Sequence, residues 1–149
     1  MNKISFKVAV LTLLIALFVG CAPQGQQAAE QAVSEATLTI SSPQVNVTWS
    51  FSDLQAFPTI EVEYTNKDGE TTIYNGVALS TLLEEAGIES FKSLSLVAAD
   101  GYTAEVTSDE LAGCTNCIIA FDDESLRSIM PDLSGKLQVK NLVEIQITQ

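Results

Sequence analysis

The stretch Ile73-Tyr-Asn-Gly-Val-Ala-Leu-Ser-Thr-Leu-Leu-Glu-Glu-Ala-Gly-Ile-Glu-Ser-Phe-Lys-Ser-Leu-Ser-Leu-Val-Ala-Ala-Asp-Gly-Tyr-Thr-Ala-Glu-Val106 reads as strand, turn, short helix, strand, turn, strand. Asn75-Gly76 is a turn signal because both residues tolerate positive φ. Leu79, Leu82, Leu83 and Ala86 recur at i, i+3, i+4 and i+7, the apolar stripe of a helix whose Glu84 and Glu85 face water. Ser80 is the expected cap and Gly87 the expected stop. Ser93 to Ala98 then alternates polar and apolar, and Asp100-Gly101 predicts a tight turn into the strand Tyr102 to Val106.

Working outward, Leu38 to Ile40 and Val45 to Trp49 read as short strands separated by Pro43, followed by a helical turn over 51–57 with Ser52 as its cap. Ile60, Val62 and Tyr64 alternate with Glu61, Glu63 and Thr65, and Asp68-Gly69 predicts a hairpin into Glu70 to Tyr74. Downstream, Ser108 is the expected cap of a helix ending at Leu111, Ile118 to Phe121 is a buried strand, and Leu142 to Ile147 closes the domain. The pattern predicts an α+β domain with a mixed, mainly antiparallel sheet and short helices.

The chain has 149 residues, the length of one domain. Lys3 and Lys7 precede an apolar run, Val8 to Val19, that is too short to span a bilayer comfortably. Phe18-Val-Gly-Cys21 resembles a bacterial lipobox, so 1–20 is expected to be a signal peptide and Cys21 the lipidated N-terminus. Residues 21–36 have the Gln, Ala, Glu and Ser composition of a flexible tether, and 37–149 form the domain. That places it at the outer face of the cell membrane, held by lipid. Without the signal, five basic residues stand against nineteen acidic ones, a net charge of −14. Such a surface repels phosphate backbones, which excludes nucleic acid as a partner and leaves tethering to the lipid.

No histidine occurs anywhere, which removes His-based triads, His-ligated zinc and CxxCH haem attachment. Cys114-Thr-Asn-Cys117 precedes a strand instead of opening a helix, so the dipole that activates thioredoxin-like thiols is missing. Three readings stay open for it: a disulfide in an exported loop, a redox or partner-reactive pair, and half of a metal site. Arg127, the lone arginine, presents a planar fork suited to an aspartate or an anionic ligand.

Tyr74-x-Gly76-Val77-x-Leu79-x-x-Leu82-Leu83-x-x-Ala86-Gly87 with Asp100-Gly101-Tyr102, Leu126-Arg127-x-Ile129-Met130-Pro131 and Gly135-Lys136-x-x-Val139-Lys140-x-Leu142-x-x-Ile145 resembles the molybdopterin-binding domain of the sulfite oxidase family in its short bacterial form. The resemblance implies that family's fold and a molybdenum held by a pyranopterin dithiolene and one protein thiolate. In catalytic members the cysteine follows the strand matched by Ile60 to Tyr64, where this chain has Thr65 and Asn66. Arg127, Lys136 and Lys140 lie on family-like segments and are candidates for a phosphate, the alternative being solvated charges. Tyr102, with Tyr74 and Trp49, is a candidate for the cofactor face, the alternative being core packing.

Two functions follow as expectations. One is a module without the metal thiolate and without the cofactor, which binds a small ligand or a redox protein in the old cleft. The other is an active oxidoreductase that uses molybdopterin or the CxxC pair.

Overall fold

The computed structural model describes residues 35–149. The expected signal peptide, Cys21 and almost all of the expected tether lie outside the described residues. The chain runs through β1 (Thr37–Ser41), β2 (Asn46–Ser50), α1 (Phe51–Gln55), β3 (Thr59–Thr65), β4 (Thr71–Ala78), α2 (Leu79–Glu85), β5 (Ser93–Ala98), β6 (Thr103–Thr107), α3 (Ser108–Leu111), β7 (Ile118–Asp122), β8 (Ser125–Ile129), a 3-10 turn (Gly135–Leu137) and β9 (Leu142–Thr148).

These strands form two sheets, one ordered β2-β1-β9-β5-β6 and the other β3-β4-β7-β8. Every pairing is antiparallel except that of β1 with β9, which run parallel with Ile40 opposite Ile145. Strand alternation sends Leu38 and Ile40, Leu94 and Leu96, and Ile145 and Ile147 into one core, where they meet Val77, Ile119 and Leu126 of the other sheet. Leu82, fully buried, with Leu79 and Leu83 of α2 and Ala86 just past its end, complete it. Each large side chain removed from water there contributes about 1.5–3 kcal/mol. The neighbouring residues of β7 and β8 point the other way. Ile118, Ala120 and Ile129 join Val62 in a smaller cluster, with Tyr64 and Tyr74 packed against it.

Four local expectations are corrected. Asn75-Gly76 is not a turn: β4 runs straight through it, pairing Gly76 with Ile60 on one side and Ala120 on the other. Gly76 is needed for close approach, since a β-carbon there would lie 2.3 Å from the Ile119 carbonyl oxygen and 2.6 Å from the Ala120 Cα. Ser80 does not cap α2. The helix starts directly off β4, and its first amide, that of Leu79, donates to the Cys117 carbonyl at 2.9 Å instead. Helix α1 is capped by Ser50 and not Ser52, and α3 by Thr107 and not Ser108. Both are capping boxes, in which an acid three residues on (Asp53, Glu110) returns a bond to the cap's amide, and that reciprocity selects the earlier residue.

Gly87 does end α2. Its φ of +72° lets its amide reach the Glu84 carbonyl while that of Ile88 reaches Leu83, the paired bonds of a Schellman motif, and Ile88 drops into the core. Gly101, with φ +86°, makes the β5–β6 turn. After α3, Cys114 and Cys117 are joined in a disulfide with Cα atoms 5.6 Å apart.

Gly76→Ala is expected to cost about 3 kcal/mol in urea unfolding, because the backbone of β7 must move, whereas Gly113→Ala, into open space, changes stability by less than about 0.5 kcal/mol. Equal effects would show that β7 does not press on Gly76. Replacing both Cys114 and Cys117 by Ser is expected to cost about 2 kcal/mol on the chain-entropy estimate for so short a loop, and alkylation before reduction should label neither thiol. The Asp53 carboxyl is held below the usual range by the Ser50 hydroxyl and then the Ser50 amide, and that of Glu110 by the Thr107 amide and then its hydroxyl. A depressed folded pKa gives stability that is full above the ordinary carboxylate range and lost as pH falls through the folded value. The lead of the parent over an Asp53→Asn, Glu110→Gln variant in urea midpoint should therefore shrink between pH about 6 and about 3; a constant lead would refute the two boxes.

Candidate functional site

Arg127 lies in the middle of β8, opposite Ala120 of β7, on the face that carries the smaller apolar cluster. Its side chain is only 11% exposed. Nη1 donates to the Tyr74 hydroxyl at 3.0 Å and to Asp122 Oδ2 at 3.3 Å, and the guanidinium carbon stands 5.0 Å from the centre of the Tyr74 ring. The fork thus serves an aspartate, as its geometry allows, but through one nitrogen. Nε is buried and has no partner among the described residues. A buried, half-satisfied guanidinium is held in place yet keeps donor capacity.

The segment after β8 is folded back on it by two polar side chains. Ser128, fully buried, donates its hydroxyl proton to the Leu137 carbonyl and accepts from the Val139 amide at 2.8 Å. Gln138 brackets Met130, accepting from its amide at 3.0 Å and donating to its carbonyl at 2.8 Å. Together they set Lys140 beside Arg127 as an isolated antiparallel bridge.

Arg127 and Lys140 line one cavity of about 520 Å³ with Lys67 of the β3–β4 turn. Tyr64 and Tyr74 supply its aromatic wall, and Asn66 lines it, one of the two residues, with Thr65, that stand where the family resemblance implies a cysteine. Asn66 is engaged in shaping the turn: its Oδ1 accepts the amides of Asp68 and Glu70, and its Nδ2 donates to Glu70. Lys136 and Tyr102 lie elsewhere. The Tyr102 hydroxyl donates to the Lys136 carbonyl at 3.1 Å, and neither side chain lines this cavity. Trp49 packs edge-on against Phe57 at 5.9 Å beside the main core, as core packing predicts. Of the candidates singled out in the sequence, Arg127, Lys140 and Tyr74 come together and Tyr102, Lys136 and Trp49 do not.

A second cavity, of about 380 Å³, lies between α2 and α3. Leu79, Leu83, Phe91 and Leu111 line it, and Cys114 and Cys117 form part of its wall. The two cavities have no lining residue in common. Phe91 and Leu111 escape periodicity arguments because one stands in the loop before β5 and the other at the end of a four-residue helix, neither on a repeating face. Lys67 escaped for a related reason: a turn lysine reads as solvated until the hairpin that carries it is placed.

Molybdenum chemistry can be tested against these donors. The cavity beside Thr65 and Asn66 offers amide, phenol, carboxylate and cationic groups but no sulfur, and both cysteines of the described domain are bonded to each other at the other cavity. A metal that requires a protein thiolate does not fit that donor set. Nor do three His, Cys, Asp or Glu side chains converge as a metal site anywhere among the described residues.

No protein-family model matches the chain, and no curated protein matches it. Among solved structures it is similar to the sulfane dehydrogenase SoxCD from Paracoccus pantotrophus, with a TM-score of 0.63 and 20% sequence identity. The likeness covers 76% of this chain and 38% of that one, so the chain spans well under half the length of its neighbour. At this identity a shared arrangement speaks for fold and not for chemistry. The chain has an α+β, sulfite oxidase-type fold of mixed and mainly antiparallel sheets with short helices.

Proposed function

We propose that this protein is a lipid-anchored, extracytoplasmic binding module that keeps a sulfite oxidase-type fold without the metal thiolate or the molybdopterin, and holds a small anionic ligand at Arg127. The observation that carries the reading is where the sulfur and the positive charge have gone. Sulfur is missing beside Thr65 and Asn66 and is locked in a disulfide at another cavity, while three of the five basic side chains of the domain line the cleft in question. On a chain with nineteen acidic residues such a gathering is not a solvated average.

The chemistry of binding follows from the residues. Asp122 and Tyr74 fix the guanidinium from one side, so little rotamer freedom is lost when an anion takes its other donors. Lys140, bridged to Arg127 in the backbone, adds a second charge, and Lys67 on the turn a third that is 90% exposed and adjusts to the ligand. Asp68 and Glu70 stand on the same rim and limit the net attraction, which favours a compact ligand of low charge over a polyphosphate. The N-terminal lipid keeps the module at the membrane, and its acidity keeps nucleic acid away. A redox protein as the occupant is the competing partner, and a working molybdopterin enzyme the competing function.

Titration with inorganic sulfate, inorganic phosphate and a small carboxylate such as acetate, followed by amide shifts, should perturb Tyr74, Arg127 and Lys140 saturably. Arg127→Gln is expected to weaken the preferred anion about tenfold or more, as loss of a charge-assisted contact does, with the CxxC disulfide intact. Binding indifferent to that change would defeat the anion site. Elemental analysis of the protein from its own host decides the wider claim, since molybdenum at one atom per chain would show a molybdopterin oxidoreductase.

A further inference from the structure

The cavity between α2 and α3 is left unexplained by an anion site at Arg127. It is apolar along Leu79, Leu83, Phe91 and Leu111, and its volume of about 380 Å³ lies at the lower end of the roughly 300–1,000 Å³ of small-molecule sites. It is also preformed. The Cys114–Cys117 bond holds the turn that makes one wall, and the Cys117 carbonyl grips the first amide of α2 that carries the opposite one. A wall fixed by a covalent link and a backbone hydrogen bond does not have to be ordered by the ligand.

Its lining carries a single charge, although the exposed Lys92 follows Phe91 nearby. Glu89 is the one ionisable side chain on the lining other than the bonded cysteines, and it is exposed at the mouth with no hydrogen bond or ion pair to the described residues. Asp109 and Glu110 on α3 add negative potential nearby, although the Glu110 carboxylate is turned back to the Thr107 cap. An apolar chamber with a carboxylate at its entrance complements a molecule with an apolar body and a cationic end. Anionic amphiphiles are repelled at the same place.

We propose that this cavity, walled by the Cys114–Cys117 disulfide and rimmed by Glu89, binds a small apolar amine. The body occupies the space between Leu83, Phe91 and Leu111 and the ammonium lies at Glu89. In this assignment the CxxC pair is a rigid piece of binding wall and carries no electrons. The site is independent of the one at Arg127 and stands if that one fails.

The test is amide-shift titration of the mature full chain with phenethylamine and with 3-phenylpropionate, which share a ring and differ in the sign of the end group. Phenethylamine should saturably shift Leu83, Phe91 and Leu111, with an affinity about fivefold above that of 3-phenylpropionate, the scale of an exposed charge pair. Glu89→Gln should reduce that preference to about twofold or less at about 0.15 M salt, where distant charges are screened. Ala112→Trp, at an exposed lining position that tolerates a large side chain, should abolish both titrations. No shift at these residues, equal or tighter binding of the carboxylate, or binding untouched by Ala112→Trp would overturn the proposal; shifts at Arg127 alone would do so while leaving the anion site standing.

Discussion

The close approach of β7 to Gly76 is the constraint on which the two cavity regions of this domain both depend. Gly76 is paired on either side, and the path of β7 leaves no space for even one carbon above it. Strand alternation divides Ile119 and Ile118 of β7 between the main core and the smaller cluster, and the carbonyl of Cys117, just before β7, accepts the first amide of α2. One contact between main chains thereby sets the position of the disulfide at one end of β7 and, through the β7–β8 pairing, of Arg127 opposite Ala120. Hydrogen bonding of this kind is unforgiving, since a buried amide or carbonyl that loses its partner costs about 1–3 kcal/mol.

The two cavities are built by opposite means. At Arg127 the fold supplies polar scaffolding: a serine and a glutamine tie the returning segment to β8, and a tyrosine and an aspartate orient a guanidinium that would otherwise sweep many rotamers. Between α2 and α3 the scaffolding is apolar and covalent. A chain with few charges of one sign and no histidine thus separates a cationic recess from an apolar one whose mouth is acidic.

What could be read in the sequence was the part governed by local periodicity. The stripe Leu79, Leu82, Leu83, Ala86, the stop at Gly87, the turn at Asp100-Gly101 and the alternation from Ser93 to Ala98 all reappear where they were expected. Errors arose where one residue type serves two purposes. Gly76 permits a turn and also permits contact, and only the position of β7, a strand more than forty residues away, decides between them. The caps slipped for a related reason: Ser50 and Ser52, or Thr107 and Ser108, are equivalent by composition, and the reach of Asp53 and Glu110 breaks the tie. Of the site, Arg127 and Lys140 were visible as basic residues on the segments that resemble the sulfite oxidase family. That Lys67 joins them, and that Tyr74 but not Tyr102 or Trp49 does so, was not, because it needs the register of two hairpins and a bridge across them.

Strand β1 sits inside its sheet, antiparallel to β2 on one side and parallel to β9 on the other, and residue 36 leads straight into it. A pull on the chain from that side acts along the strand axis, so the bonds to β2 and β9 are strained together in shear and cannot be peeled one by one. Tension entering at Thr37 therefore meets a strand bonded on both sides, and the domain is built to stay closed when tugged from its N-terminal side.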